Sequence, residues 1–341
     1  MRAIVYTVTG DPTVLRLVDR RPVDPGPREV RVRVAVSAVN PTDCKSRRGA
    51  GPGGALRFAE VAPNQDGAGT VEAVGPGVTD LAVGDRVWML LAQHERPTGT
   101  AQAMTTLPVE RVVRLPDDVS FDVGASLGVP ALTAHRALTI AEGGPERLAP
   151  GALTGSTVLV AGGAGAVGHA AIQLARWAGA TVVTTVSTHE KSELAAAAGA
   201  HHVVNYNAGD AAKAIRSVAP DGVDVVVEVA AGQNSALDLE VAATRAAVAI
   251  YANEGGGTLA LDVRAGMSKN LRYQFVLLYS LGGGPLVAAV SAISDALRDG
   301  ALPVGREAGL PLHRFSLERT ADAHRAVEGG AVGKVLIDVD I

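Results

Sequence analysis

Val158-Leu-Val-Ala-Gly-Gly-Ala-Gly-Ala-Val-Gly-His-Ala-Ala-Ile-Gln-Leu-Ala-Arg176 begins as an apolar run, passes through a glycine-rich turn and continues at helical spacing. Gly162, Gly165 and Gly168 stand three residues apart. In such a turn one glycine permits the tight passage from strand to helix, and another lets backbone amides approach a pyrophosphate. The last lets the helix pack close on its sheet. The helix start then offers unpaired N–H groups and the positive end of its dipole to phosphates. A bare glycine triplet is weak in a chain with 40 glycines. The strand before it and the helix after it give this one its weight.

Working outward from Thr157, strand and helix patterns alternate. Thr157–Ala161 precedes a helix over Val167–Ala178, and Thr181–Val186 precedes a helix over Glu190–Ala198. Val203–Tyr206 reads as a short strand, Ala211–Val218 as a helix, and Val223–Val229 and Ala246–Ala252 as further strands. This is the rhythm of an α/β, doubly wound parallel sheet. Upstream the pattern differs. Val30-Arg-Val-Arg-Val-Ala-Val36 alternates as a half-buried strand does, and Asp66–Gly77 and Val83–Met89 are strands set off by Gly and Pro. Short, punctuated strands predict a compact barrel-like β domain. Asn40–Gly49 is a loop or short helix, Ala50–Gly54 is flexible by composition, and Phe121–Leu138 is a helix bent or divided at Pro130. Ser291–Arg298 is helical, and Leu312–Ile341 returns to mixed α/β, ending in the strand Lys334–Val339 that rejoins the first domain.

The 341 residues suffice for two domains. Apolar residues at 47% provide a sizeable core, and a net charge of −4 with 3% aromatics argues against nucleic acid as the main ligand. One cysteine, Cys44, excludes an intramolecular disulfide and a multi-cysteine zinc site and fits a reducing cytoplasm. Met1–Leu15 lacks the pattern of a signal peptide, and the glycines and His169 interrupt the longest apolar stretch, so no membrane span is expected. The histidines show no ligand spacing; His169 reads as packed, and His201 and His202 would point to opposite faces of a strand.

An NAD site carries Asp or Glu at the end of the second strand. Here that strand ends in Ser187-Thr188, and Ser187-Thr-His-Glu190 has the form of a capping box that accounts for Glu190 locally. With no acid to repel a 2′-phosphate, and with Ser187, Lys191 and Tyr206 available as donors, the cofactor is expected to be NADPH.

With these residues in place, the chain resembles the zinc-independent, zeta-crystallin-like quinone oxidoreductases of the medium-chain dehydrogenase/reductase superfamily. The resemblance is carried by Val39–Asp43, Asp66–Val71, Val83–Val87, Gly128–Ala134, the glycine turn, Gly199–Tyr206, Val223–Glu228 and Gly333-Lys334. It implies a GroES-like β-barrel domain over 1–125, completed by 301–341, and a Rossmann NADP-binding domain over 126–300. It also implies a homodimer and hydride transfer to a quinone or another α,β-unsaturated carbonyl. Zinc alcohol dehydrogenases of the superfamily carry Cys where Asn40 stands and Gly-His-Glu where Asn64-Gln65-Asp66 stands, so no metal is expected. Without a Lewis acid, alcohol dehydrogenation loses its usual means of stabilising an alkoxide.

The resemblance places Asn40, Asp43 and Lys45 beside the nicotinamide. Many quinone reductases carry Tyr at the position of Lys45; the lysine instead looks like the alkenal/enone reductases and suits polarisation of an enone oxygen. Reduction of an enone or enoyl thioester is therefore the alternative within enzymes, and a nucleic-acid-binding or structural role the alternative outside them. Tyr279 is a candidate for the substrate pocket. Gly162, Ala164, Gly165, Ala166 and Val167 are expected at the pyrophosphate, and Ser187, Lys191 and Tyr206 at the adenosine. Gly232, Ile250, Tyr251, Ala252, Asn253, Val276, Leu277, Leu278, Thr133 and Lys334 complete the expected cofactor contacts.

Overall fold

The alternation around Val30 becomes the central strand of the first unit. In the computed structural model, which describes residues 1–50 and 56–339, the chain opens with β1 (Arg2–Val5), β2 (Arg16–Asp19), β3 (Glu29–Val39) and α1 (Pro41–Arg47). It continues through β4 (Asp66–Val74), β5 (Arg86–Met89), β6 (Met104–Pro108) and β7 (Val112–Arg114). The glycine-rich stretch at 51–54 lies outside the described residues. Val30, Val32 and Val34 are fully buried while Arg31 and Arg33 turn away, which is the period-two burial the sequence prescribes.

The helix α2 (Phe121–Leu138) leads on to β8 (Thr157–Ala161), α3 (Ala166–Trp177), β9 (Thr181–Val186), α4 (His189–Ala197), β10 (His202–Asn205) and α5 (Ala211–Val218). Then come β11 (Val223–Glu228), α6 (Ala231–Val241), β12 (Ala242–Ile250), α7 (Val263–Ser268), β13 (Arg272–Phe275) and α8 (Gly283–Arg298). The chain closes with β14 (Leu312–Ser316), α9 (Thr320–Glu328) and β15 (Lys334–Asp338).

Two compact units result: Met1–Val129 with the segment from Pro311 onward, and Pro130–Leu310, against boundaries expected at 125 and 300. In the first unit the sheet runs β14-β15-β3-β4-β5-β7, with β6 also paired to β3. The C-terminal β15 is antiparallel to β3, with Val335 opposite Val39, so the last residues complete the sheet that the first hundred begin. This is a GroES-like domain.

In the second unit the order is β10-β9-β8-β11-β12-β13, every pairing parallel. Counted within the unit that is 3-2-1-4-5-6, the Rossmann order. Val-rich β8, β9 and β11 are buried along nearly their whole length, as strands covered on both faces must be.

Three differences from the sequence reading stand out. α8 starts at Gly283 rather than Ser291, because Pro285 falls in its first turn, where a missing N–H costs nothing. β12 starts at Ala242 and ends at Ile250. α6, α7 and β13 were not anticipated: the helices are short or rich in Asn, Gln and Gly, and β13 is a polar edge strand. Among the described residues no helix is long and apolar enough to cross a membrane.

Candidate functional site

In the first unit, the side chains at the start of α1 and β4 are tied into one buried polar knot. Asn40, the N-cap of α1, donates from Nδ2 to Asp66 Oδ2 at 2.7 Å and accepts from Lys334 Nζ at 2.6 Å. Lys334 Nζ also lies 3.5 Å from Asp66 Oδ2, closing a triangle of cation, amide and carboxylate. Asp43 accepts from Asn40 N at 2.7 Å and from Gln65 N at 3.1 Å. Asn40, Asp43, Gln65, Asp66 and Lys334 are all buried. Burial pushes the Asp43 carboxyl up to about 7, with the charge of Asp66 adding to the shift. Burial likewise raises Asp66 and lowers Lys334, each partly offset by the other's charge.

Asp66 also penetrates α2. The Val129 N–H donates to both carboxylate oxygens, at 2.9 and 3.0 Å, one residue before Pro130. Gly128 makes room, since a Cβ there would stand 2.1 Å from Asp66 Oδ1. The Gly128-Val-Pro130 motif is thus the socket for a carboxylate.

A second, neutral chain runs beside the knot. His324 Nε2 donates to Asn64 Oδ1 at 3.1 Å, Asn64 Nδ2 donates to Ser37 Oγ at 2.9 Å, and Ser37 and Thr100 hydroxyls meet at 2.7 Å. Thr100 donates onward to the Asp66 carbonyl at 2.6 Å. The His324 tautomer follows from this network, leaving Nδ1 to accept from the Cys44 thiol, 3.5 Å away. Asn64 is held at φ 79°, a conformation few side chains adopt, by these bonds. Sequence spacing gave no sign of this chain, because His324 and Asn64 lie 260 residues apart.

In the second unit, α3 begins at Ala166 with Gly165 as its N-cap, one short turn after β8. A Cβ on Gly168 would stand 2.4 Å from the Gly162 carbonyl and 2.9 Å from Gly163 Cα, so helix and turn touch through bare backbone. Ala164 is buried, whereas Gly165, Ala166 and Val167 reach the surface at the helix start. At the end of β9, Lys191 Nζ donates to Ser187 Oγ at 3.1 Å and Asn207 Nδ2 to the Ser187 carbonyl at 2.8 Å. Tyr206 is exposed at the end of β10. The expected capping box is corrected: Thr188, not Ser187, caps α4 by accepting from Lys191 N at 3.2 Å. Glu190 instead reaches Arg306, at 3.3 Å. No acid occupies the strand end.

Residues 26–117 match the GroES-like domain of alcohol dehydrogenases, and residues 166–294 match the family described as zinc-binding dehydrogenase. The chain is 30% identical to a quinone oxidoreductase of Lama guanicoe over 343 aligned positions, covering 99% of this chain and 97% of that one. The chain belongs to the quinone oxidoreductase family of the medium-chain dehydrogenases/reductases. A 2-haloacrylate reductase of Burkholderia is 33% identical over 68% of this chain and 67% of its own length. A mycobacterial protein solved in complex with NADPH superposes with a TM-score of 0.81 at 31% identity, over 99% of both chains.

The family frame gives the polar knot its meaning. Where the superfamily's zinc enzymes have Cys and His, this quinone oxidoreductase relative has Asn40 and Gln65, and both side chains are already engaged. Asn40 bonds Lys334 and Asp66, and Gln65 Nε2 donates to Gln93 at 3.1 Å. Neither offers a thiolate or imidazole, so these residues do not fit a catalytic zinc. Among the described residues no group of His, Cys, Asp and Glu is arranged to hold a metal ion. Lys334, grouped with the cofactor contacts on the resemblance, is buried in the first unit with its ammonium on Asn40. Lys45 stands on the exposed side of α1.

Most of the remaining expected residues gather in the second unit. A pocket of about 270 Å³ is lined by Gly232, Ile250, Tyr251, Ala252, Asn253, Val276 and Leu277, together with Ala231, Phe275 and the loop 256–259. It lies at the C-terminal ends of β11, β12 and β13, where ligands of open parallel sheets bind. Leu278 is buried beside it in sequence, Tyr279 is half-buried in the following turn, and Thr133 is buried in α2.

The second unit also holds two buried carboxyls that the sequence reading did not single out. Glu228 accepts from Ala230 N and from Asn234 Nδ2, and Asp238 packs against it. Burial and the charge of Glu228 push Asp238 up to about 9, so it is held protonated at neutral pH. The only legible hint was an acid closing the otherwise apolar β11.

Proposed function

We propose that the protein is an NADPH-dependent, zinc-independent reductase of quinones and other α,β-unsaturated carbonyls. The observation that carries this reading is the closed triangle of Asn40, Asp66 and Lys334. With the zinc-ligand position at Asn40 engaged in it and that at Gln65 bonded to Gln93, the described residues offer no seat for a Lewis acid in alkoxide chemistry, and an acceptor that is already electrophilic needs none. The NADPH complex of the mycobacterial relative supports the choice of cofactor. The residues fit that cofactor: the backbone contact at Gly168 leaves a turn no side chain obstructs, and Ser187, Lys191 and Tyr206 offer donors where an acid would repel a 2′-phosphate.

Bound NADPH supplies the hydride. Ala164, Ala166 and Val167 would hold the pyrophosphate with backbone N–H groups, the Gly165 N–H being committed to the Gly162 carbonyl, and the pocket residues from Ile250 to Asn253 with Val276 and Leu277 would hold the nicotinamide end. Lys45 stabilises negative charge on the acceptor oxygen, and Asp43 fixes the first turn of α1 by accepting from Asn40 N. Lys45 and the 2-haloacrylate reductase relative favour a second reading within the same chemistry, reduction of the carbon–carbon double bond of a conjugated acid, enone or enoyl thioester. Stopped-flow oxidation of NADPH and NADH against quinones, enals, enones and enoyl thioesters tests both. Turnover with NADPH is expected, and Lys45→Ala should slow enones by roughly 10- to 100-fold. Tight NADPH binding without turnover of any acceptor would sink the reading.

The cytoplasm is its expected compartment, and a homodimer its expected state. β13 is a sheet edge carrying exposed Phe275, with exposed Val263 and Met267 on the preceding helix, so pairing of two β13 edges would cover apolar surface. Light scattering should give twice the chain mass; a monomer at micromolar concentration overturns this.

A further inference from the structure

We infer that Lys334 is a positioning residue for the reduction: its buried ammonium, hydrogen-bonded to Asn40 and paired with Asp66, fixes the helix that presents Lys45. This rests on the reading of Asn40–Lys45 as the substrate-facing segment. A fully buried lysine is rare unless paired, and here the pairing is unusual in its geometry. Nζ meets the Asn40 oxygen at 2.6 Å, the Asn40 nitrogen meets Asp66 Oδ2 at 2.7 Å, and Nζ lies 3.5 Å from that same oxygen. Both polar atoms of the Asn40 amide are therefore committed, and its rotamer is locked. Its backbone N–H is committed as well, to Asp43. Asn40 is the N-cap of α1, so fixing it fixes where the helix starts and which way it points.

The other end of α1 is held from the same direction. Arg47 is fully buried and pairs with Glu328 at the end of α9, and Arg48 Nε reaches the same carboxylate at 3.0 Å. Lys45 lies between these two anchors, on the exposed side. Lys334 and Glu328 both come from the segment after Pro311, whose strand is sewn to β3. The C-terminal segment thus clamps α1 at both ends. A residue needed only to neutralise Asp66 would have no reason to make its shortest contact with Asn40.

Three variants separate aiming from charge neutralisation. Lys334→Met keeps the aliphatic length and removes the ammonium. Lys334→Met with Asp66→Asn removes both charges, and Asn at 66 can still accept from Val129 N. Lys334→Gln keeps a donor for Asn40 without the charge. Each is assayed for cooperative melting, NADPH affinity, and kcat and KM for the best acceptor of the panel. The double variant should melt cooperatively and bind NADPH within about threefold of the parent, with kcat down roughly 10- to 100-fold, the scale of a small misplacement of a reacting group. Lys334→Gln should recover part of that loss. Wild-type kcat in a folded double variant overturns the proposal, as does collapse of all three variants, which would assign Lys334 to the core alone. A parent enzyme that turns over acceptors while Lys45→Ala has no effect removes the underlying site reading instead, whatever the Lys334 variants do.

Discussion

The glycine turn of the second unit and the polar knot of the first are both tightly fitted, and they are built in opposite ways. At Gly168 the shape comes from what is missing: helix and turn approach so closely that a Cβ would overlap the Gly162 carbonyl. At Asn40 it comes from what is present, namely Lys334 and Asp66, partnered through side chains from distant parts of the chain, and Asp43, which accepts from the backbone of Asn40 and Gln65. The first design is sterically intolerant and electrically quiet. The second tolerates no unpaired charge and responds to protons. A backbone-built site suits a ligand that is always the same; a side-chain-built site is one that can be retuned by substitution.

A matched pair of substitutions should break the comparison along this line. Asp66→Ala strands the Lys334 ammonium in the interior, and urea denaturation should show a loss of about 3–5 kcal/mol. A loss below 1 kcal/mol would mean that the knot is hydrated and the pair weak. Gly168→Ala should instead leave folding the lesser casualty and weaken NADPH binding roughly a hundredfold, about 2.7 kcal/mol; fluorescence titration giving wild-type affinity would show that the turn can yield.

The smaller effect is electrostatic. The Asp43 carboxyl sits at about 7 in the fold against an ordinary 3.8, so its protonated form is the one the fold favours. Its contribution to stability is complete below the ordinary value and is lost as pH rises through about 7. Asp43→Asn should therefore flatten the pH dependence of Tm between about pH 4 and 7. An unchanged slope would place the titration elsewhere in the knot. The glycine turn, holding no ionisable group, should show no counterpart.

How far the sequence reveals these two regions differs for the same reason. The turn is local: an apolar strand, spaced glycines and a helix lie within twenty residues, so its fold and cofactor class can be read directly. The absence of an acid after β9 is equally local, although the helix start is one residue later than the S-x-x-E pattern suggests, because Thr188 offers the same hydroxyl. The knot is not local. Asn40 and Asp43 stand out by position, but the partner that gives Asn40 its role is 294 residues away. Lys334 as a sequence feature is only a lysine after a glycine. The Glu228–Asp238 pair escaped for a related reason: an acid inside a helix normally faces water, and only the fold shows that Asp238 faces inward.

Cys44 acquires a different significance once the chemistry is set beside it. Quinones and enones alkylate thiols, and they do so through the thiolate. The chain carries a single cysteine, and it is buried, with burial and nearby carboxylates pushing its thiol up to about 12. The adjacent His324, pushed down to about 3 by burial, stays neutral and offers no positive charge to draw out the thiolate. A reductase of such electrophiles would thereby keep its one thiol out of their reach.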